Sequence, residues 1–241
     1  MSGHSHAKTV MAGKMANAAK KGKIYSKYGR LITIAVKDGG GSGDPTKNSK
    51  LKATIEQAKA MDMPKENIER AIKKGTGELV GENLEEVSFE GFGPAGIALI
   101  IDGITDNKNR TISEIKVILN QNNGKMAGEG AIRWMFDRKG VIIVSGEGKE
   151  KDELEMMAIE AGADDMRWDE NYLEIRTKPE DFETVKKALE EKQLKIESAS
   201  LGYVAKEEIT VSEKEKDQAE RLFEALDEND AVNNVYSNLK S

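Results

Sequence analysis

Few residues in this chain could do covalent chemistry. His4 and His6 are its only imidazoles, and cysteine is absent. Without cysteine there are no disulfides, thiolate metal sites, iron–sulfur ligands or thiol nucleophiles. Both histidines sit in an irregular, small-residue start, where no folded cleft would hold a general base. After removal of Met1, Ser2-Gly3-His4 could chelate Cu(II) or Ni(II) in a square plane through amine, amides and imidazole. Any chain with histidine third has that capacity, so it defines no metal site. Gly91-Phe92-Gly93-Pro94-Ala95-Gly96 fits the spacing G-x-G-x-x-G. A dinucleotide site needs a helix after that motif, whereas here an apolar β-branched run follows, so a strand-to-strand turn is expected. Gly146-Glu147-Gly148-Lys149 suggests a phosphate loop, but Ile143 and Glu150 occupy positions that would need glycine and a hydroxyl. The acidic runs Glu147 to Glu155 and Glu207 to Asp217 suit solvated helix faces and isolate no carboxylate pair. The reading is no enzyme, no catalytic residue, no cofactor and no metal.

The elements that carry charge are more informative. The chain holds 37 basic and 43 acidic residues, a formal net charge of -6. Residues 1–75 contain 16 basic and 6 acidic side chains, a balance of +10, and the remainder stands at -16. A cationic third joined to an anionic body suggests a polyanion partner held at one end. The longest apolar run, Ile97 to Ile101, is far below the roughly 20 residues of a membrane helix. The N-terminus lacks an apolar signal core, so a soluble, cytoplasmic protein without a membrane partner is expected.

Helical periodicity runs from about Lys14 to Lys37 and ends at Gly39-Gly40-Gly41. At 100° per residue, Ile24, Tyr25, Tyr28, Leu31, Ile32 and Ala35 share one face, while Lys20, Lys23, Lys27 and Arg30 form an adjacent cationic ridge. No acid precedes Asp38, whereas a merely solvated helix mixes signs. Candidate phosphate contacts are therefore Lys8, Lys14, Lys20, Lys21, Lys23, Lys27 and Arg30. Tyr25 and Tyr28 lie among these cations, but their angular position favours packing. Asp44-Pro45 is expected to start a second helix, as N-cap and first helical residue. Pro64 starts a third, which Gly75 is expected to end. Lys73 and Lys74 close that helix, where its dipole alone explains them.

From Val87 the period changes to that of strands. Strands at 87–90 and 97–102, a helix at 108–121 and a glycine-rich stretch at 124–130 are expected. Between 140 and 199 the pattern reads β-α-β-β-α-β, the ferredoxin-like split unit. A strand near Tyr203, a helix at 213–226 and a strand at 232–236 follow. The expected class is α+β: an N-terminal helical bundle plus two ferredoxin-like α/β domains, the third inserted in the second. The expected domains are 1–79, then 80–138 with 200–241, and the insert 139–199. Phe89, Phe92, Trp134, Phe136 and Trp168 are expected in cores or domain contacts.

Several motifs resemble the YebC/PmpR family: Gly3-His4-Ser5, Ala19 to Lys27, Gly39-Gly40 with Asp44-Pro45, and Met63 to Gly75. So do Glu90 to Gly96, Asp106 to Thr111 and Gly124 to Phe136. The likeness covers nearly the whole chain and implies three domains, one helical and two α/β. It also implies one of two roles. Some members look like DNA-binding transcriptional regulators; others, the mitochondrial translational activator included, look like ribosome-associated factors that relieve stalling. The chain departs from the family start in having His6-Ala7 where Lys-Trp commonly stands.

The reading that follows is a non-catalytic nucleic-acid-binding regulator of gene expression. Its partner would be ribosomal RNA on the ribosome, because a slim cationic tail suits irregular RNA crevices. The alternatives are a DNA-binding transcriptional regulator and an adaptor whose basic end docks on an acidic protein. The sequence leaves the oligomeric state open.

Overall fold

A computed structural model describes the backbone of residues 18–240 and the side chains from Lys21 onward. Among the described residues three helices come first: α1 (Ala18–Asp38), α2 (Ser49–Ala60) and α3 (Lys65–Thr76). Their shared core contains Ile32, Ala35, Val36, Leu51, Ile55, Ala58, Met63, Ile68 and Ala71, with Tyr25 and Tyr28 packed against it. The face expected from the period of α1 is thus its packing face. Burial raises the Tyr28 phenol to about 12, since its charged form would lose water. Two local signals resolve differently from expectation. Asp44 closes a short turn, its carboxylate accepting from the Thr46 amide at 2.9 Å. Asn48 caps α2 instead, accepting from Leu51 N at 3.0 Å while its Nδ2 donates to the Ala35 carbonyl at 2.7 Å. Gly75 lies inside α3, where an added Cβ would come within 2.6 Å of Val36 Cβ. The helix ends at Gly77, in the left-handed region at φ 84°.

Two four-stranded antiparallel sheets follow. The first has β1 (Glu85–Phe92), β2 (Ala98–Thr105), β3 (Lys125–Met126) and β8 (Val232–Ser237) in the order β3-β1-β2-β8. Helices α4 (Lys108–Gln121) and α7 (Glu213–Asp227) accompany it. β1 and β2 pair antiparallel from Glu85↔Thr105 to Phe92↔Ala98, so the G-x-G-x-x-G segment is a strand-to-strand turn, as expected. The second sheet has β4 (Phe136–Ser145), β5 (Asp165–Asp169), β6 (Tyr172–Thr177) and β7 (Ile196–Ala205) in the order β5-β6-β4-β7. Together with α5 (Lys151–Ala161) and α6 (Phe182–Glu191) it forms the expected ferredoxin-like unit. Its core holds Ile142, Val144, Leu154, Ala158, Leu173, Ile175, Val185 and Leu189.

The second and third domains are interleaved in the chain. Residues 133–210 with 236–240 cluster as one compact unit, and 18–132 with 211–235 as another. The boundaries expected at 138/139 and 199/200 fall inside strands β4 and β7. The segment near Tyr203 is not a separate strand but the end of β7. No described helix is long and apolar enough to cross a membrane.

Candidate nucleic-acid interface

The cationic ridge of α1 has intramolecular acceptors. Lys27 Nζ donates to the Asp227 carbonyl at 2.6 Å and to its carboxylate at 3.0 Å. Arg30 Nη1 donates to the Asp230 carbonyl at 2.8 Å, and Lys23 Nζ to the Glu228 carbonyl at 3.4 Å. The Lys27 side chain is only 13% exposed. These acceptors belong to the end of α7 and the turn after it, where the unsatisfied carbonyls of a helix C-terminus attract cations.

That acidic turn is itself fixed. Asn229 Nδ2 donates to Glu114 at 3.0 Å, and the Ile104 amide donates to the Ala231 carbonyl at 2.8 Å. Gly103 permits this approach, because a Cβ there would lie 2.2 Å from the Ala231 oxygen. A rigid oxygen-lined turn therefore receives the ridge. An ammonium or guanidinium so placed meets carbonyl and carboxylate oxygens in the way it would meet phosphate oxygens.

Lys21 Nζ lies 3.7 Å from the Asp62 carboxylate, and both are substantially exposed. Of Lys20 the structure gives only its place on α1, while Lys8 and Lys14 lie outside the described residues. Tyr25 Oη donates to the Asp62 carbonyl at 2.8 Å, so it packs rather than facing a ligand. Within the helical domain, the exposed cations without an ion pair to any described residue include Lys37, Lys52, Lys59, Arg70, Lys73 and Lys74. Sequence reasoning set Lys73 and Lys74 aside because the dipole of α3 accounted for them. Their exposure is the signal it lacked. Lys50, by contrast, bridges Asp38 at 2.5 Å and Glu86 at 2.8 Å. Burial pulls its ammonium down, but the hydrogen bonds to those two carboxylates outweigh it and the pKa is raised.

The acidic runs are largely in structural use. Glu155 accepts from Trp168 Nε1 at 2.7 Å, Glu153 pairs with Lys149, and Glu208 with Arg167. Glu215 and Ser212 form the capping box of α7, which holds the Glu215 carboxyl below its usual range. Glu90 is 4% exposed and accepts from the amides of Gly130 at 2.8 Å and Ile132 at 2.6 Å, pinning the glycine-rich stretch. Among the described residues no group of histidine, aspartate and glutamate could hold a metal ion. The aromatic expectation holds for Phe89 and Phe136, which are buried, and Trp168 is half-buried on its own domain's core. Trp134, on a single 3₁₀ turn (Arg133–Met135), is 68% exposed and so lies outside the cores.

The chain thus builds a helical domain followed by two α/β domains, with its basic residues concentrated in the first 75 positions and its acidic ones beyond them. Models of the TACO1/YebC N-terminal domain and of the TACO1/YebC second and third domains match residues 5–78 and 84–239, respectively. The chain belongs to the TACO1/YebC family. A probable transcriptional regulatory protein of Thermoanaerobacter pseudethanolicus is 46% identical over 241 residues, covering 100% of this chain and 97% of that one. Another, from Fusobacterium nucleatum, is 43% identical over 99% of this chain and 95% of its own. The crystal structure of a conserved hypothetical protein from Aquifex aeolicus superposes with a TM-score of 0.86 at 39% identity, covering 92% of this chain and 91% of that one. The family is one of regulatory proteins.

Proposed function

We propose that the chain is a non-catalytic regulator of gene expression that binds nucleic acid, with ribosomal RNA on the ribosome as its target and relief of stalled elongation as its effect. The observation that carries this reading is the segregation of charge. Lys37, Lys52, Lys59, Lys73 and Lys74 are exposed in the helical domain without an ion pair to a described residue, while the body beyond residue 75 stands at -16. Those lysines, with Lys8, Lys14, Lys20 and Lys21, would neutralise phosphates. Lys27 and Arg30 would serve chiefly to seat α1 on the turn after α7, and Lys23 would divide its charge between the two tasks.

RNA is favoured over a DNA groove by the side chains of α3. Its exposed residues include Glu66 and Glu69 among the cations, and a helix lying between two phosphate strands would bring those carboxylates against like charge. The DNA-binding reading is supported by the printed names of the relatives, probable transcriptional regulatory proteins. An adaptor docking on an acidic protein would use the same lysines.

Ribosome co-sedimentation and ribosome profiling with and without the protein test the proposal. The expected result is co-sedimentation weakened by salt, with pauses at particular codons when the protein is absent. A footprint on one promoter that survives excess random DNA, together with unchanged profiling, would overturn it in favour of transcription.

A further inference from the structure

Two turns meet at one end of the first sheet. β3 pairs with β1 through Gly91↔Met126 and Phe92↔Lys125, which brings the end of α4 beside the β1–β2 turn. Gly124 allows the approach, since a Cβ there would lie 2.6 Å from the Phe92 carbonyl oxygen. Between the turns lies a cleft of about 430 Å³. Phe92, Gly93, Ala95 and Gly96 of the first turn line it, with Asn123, Gly124 and Lys125 of the second. Among the described residues no carboxylate lines it, and Lys125 supplies its formal charge. Other lysines of the acidic body pair with carboxylates, as Lys139 does with Asp164 and Lys192 with Glu160. Lys125 instead has an aromatic partner, its Nζ 5.6 Å from the centroid of the Phe92 ring. The exposed side chains of Asn123 and Lys125 have no hydrogen-bond partner among the described residues. Ala95 adopts φ 55° and ψ 17°, Gly96 follows at φ 79°, and the Ile97 amide donates to the Pro94 carbonyl at 3.1 Å. Such a turn favours Asn-Gly, and alanine has no side-chain oxygen to offset the left-handed strain. Asn123 at φ 58° is the ordinary left-handed end of a helix; Ala95 has no such account, and strain of its kind gathers at ligand sites.

We propose that this cleft binds one nucleoside monophosphate, with the phosphate at Lys125, the base on the Phe92 ring and the base edge at the Asn123 amide. A lysine is a mobile point charge for phosphate. Its contact with a ring is weaker than a charge-assisted hydrogen bond, so the ammonium moves to phosphate and uncovers the ring. An aromatic ring stacks an unpaired base. An amide that both donates and accepts matches the edge of a base, adenine above all. Walls of glycine and alanine let a ligand approach the backbone. The volume is that of a small-ligand site, with room for one nucleotide and not for a strand. The nucleotide is either free or the phosphorylated end of a strand. No helix N-terminus lines the cleft, so the dinucleotide mode set aside from the G-x-G-x-x-G spacing plays no part. The site uses none of the lysines assigned to ribosomal RNA above and is independent of that reading.

The test is ligand-observed NMR titration of the full chain with adenosine 5′-monophosphate, cytidine 5′-monophosphate, adenosine and inorganic phosphate, and with one short RNA carrying a 5′ phosphate or a 5′ hydroxyl. Adenosine 5′-monophosphate should bind saturably, its base protons moved upfield by stacking. Adenosine and inorganic phosphate should each bind roughly tenfold more weakly. Lys125→Met should weaken the monophosphate roughly tenfold and leave adenosine unchanged. Phe92→Leu should weaken both alike. Asn123→Gly keeps the left-handed φ and should abolish the preference for the adenine over the cytosine nucleotide. Tighter binding of the phosphorylated RNA than of the free nucleotide assigns the site to a strand end, and the reverse assigns it to a free nucleotide. The site is overturned if neither binds saturably, or if Lys125→Met and Phe92→Leu bind as the unaltered chain does. Inorganic phosphate binding as tightly as the nucleotide would also overturn it, marking a bare anion site. In each of these cases ribosome co-sedimentation still decides the earlier reading by itself. Joint replacement of Lys73 and Lys74 with methionine should leave nucleotide binding unchanged.

Discussion

Replacing Lys27 with methionine separates two uses of the α1 ridge. Methionine keeps most of the apolar stem and deletes the ammonium. Lys27 gives hydrogen bonds of 2.6 and 3.0 Å to the carbonyl and carboxylate of Asp227. A hydrogen bond involving a charged group is worth about 1.5–3 kcal/mol. The Asp227 carboxylate is 57% exposed, so water screens the ion-pair part to about 1 kcal/mol or less. The orphaned carbonyl lies at a helix end that water can reach. A net cost of about 1–2 kcal/mol follows, or roughly 2–8 °C in a melt for a chain of this size. The second readout is the slope of log affinity for a single-stranded RNA against log salt. If Lys27 seats α1 on the turn after α7, the melt shifts and the slope stays. Joint replacement of Lys73 and Lys74 with methionine should do the reverse. It should cost under about 1 kcal/mol, because both are exposed and only a helix dipole favours them. Its slope should become shallower by about 1.4, since each phosphate contact on a single strand contributes about 0.7. A Lys27→Met protein that melts unchanged but loses about 0.7 of slope would refute this reasoning and make Lys27 a phosphate ligand.

Three further outcomes follow from packing and protonation. Gly75→Ala places a methyl within 2.6 Å of Val36 Cβ and 2.9 Å of the Thr33 carbonyl, so urea unfolding should show a loss of about 1–3 kcal/mol or more, against the usual gain for glycine to alanine in a helix. The Tyr28 phenol is raised to about 12 from 10.0, so the folded state holds its proton longer than the unfolded chain does. Its contribution is complete below pH 10 and is lost as pH rises toward 12, up to about 2–3 kcal/mol, and the difference between the unaltered chain and Tyr28→Phe in pH-dependent melts reads it directly. Glu90→Gln turns a two-oxygen acceptor for the Gly130 and Ile132 amides into one oxygen and one opposing NH2, so about 2 kcal/mol should be lost and proteolysis of the 124–132 stretch should quicken.

Local order was legible where one element sufficed to define it. The apolar period of α1 correctly separates Ile32 and Ala35 from Lys23 and Lys27, because helical geometry alone sorts faces. The ferredoxin-like order was readable because each strand and helix there has its own period. Competing caps were less readable. Asp44 and Asn48 are both good cap residues, and Asn48 prevails through a bond to Ala35, thirteen positions away. Gly75 and Gly77 both look like helix stops. The contact with Val36 keeps the first inside α3, and a left-handed φ ends the helix at the second. Gly202 hides the continuity of β7, since a glycine within a strand weakens its pattern. An added Cβ there would come within 3.0 Å of Tyr236. The ridge's acceptors lie about 200 residues downstream, beyond the reach of any periodicity.

Net charge by segment therefore says that a polyanion is welcome without saying which cations remain to greet it. A half-buried lysine needs an oxygen, and the chain supplies one from the carboxyl end of α7, where helix geometry leaves carbonyls without partners. The cations that satisfy α7 are those that looked most like a nucleic-acid ridge, because both tasks ask for a row of positive charge one helical turn apart. Cations left to solvent, such as Lys73 and Lys74, can give a salt-dependent grip that ignores sequence and strandedness.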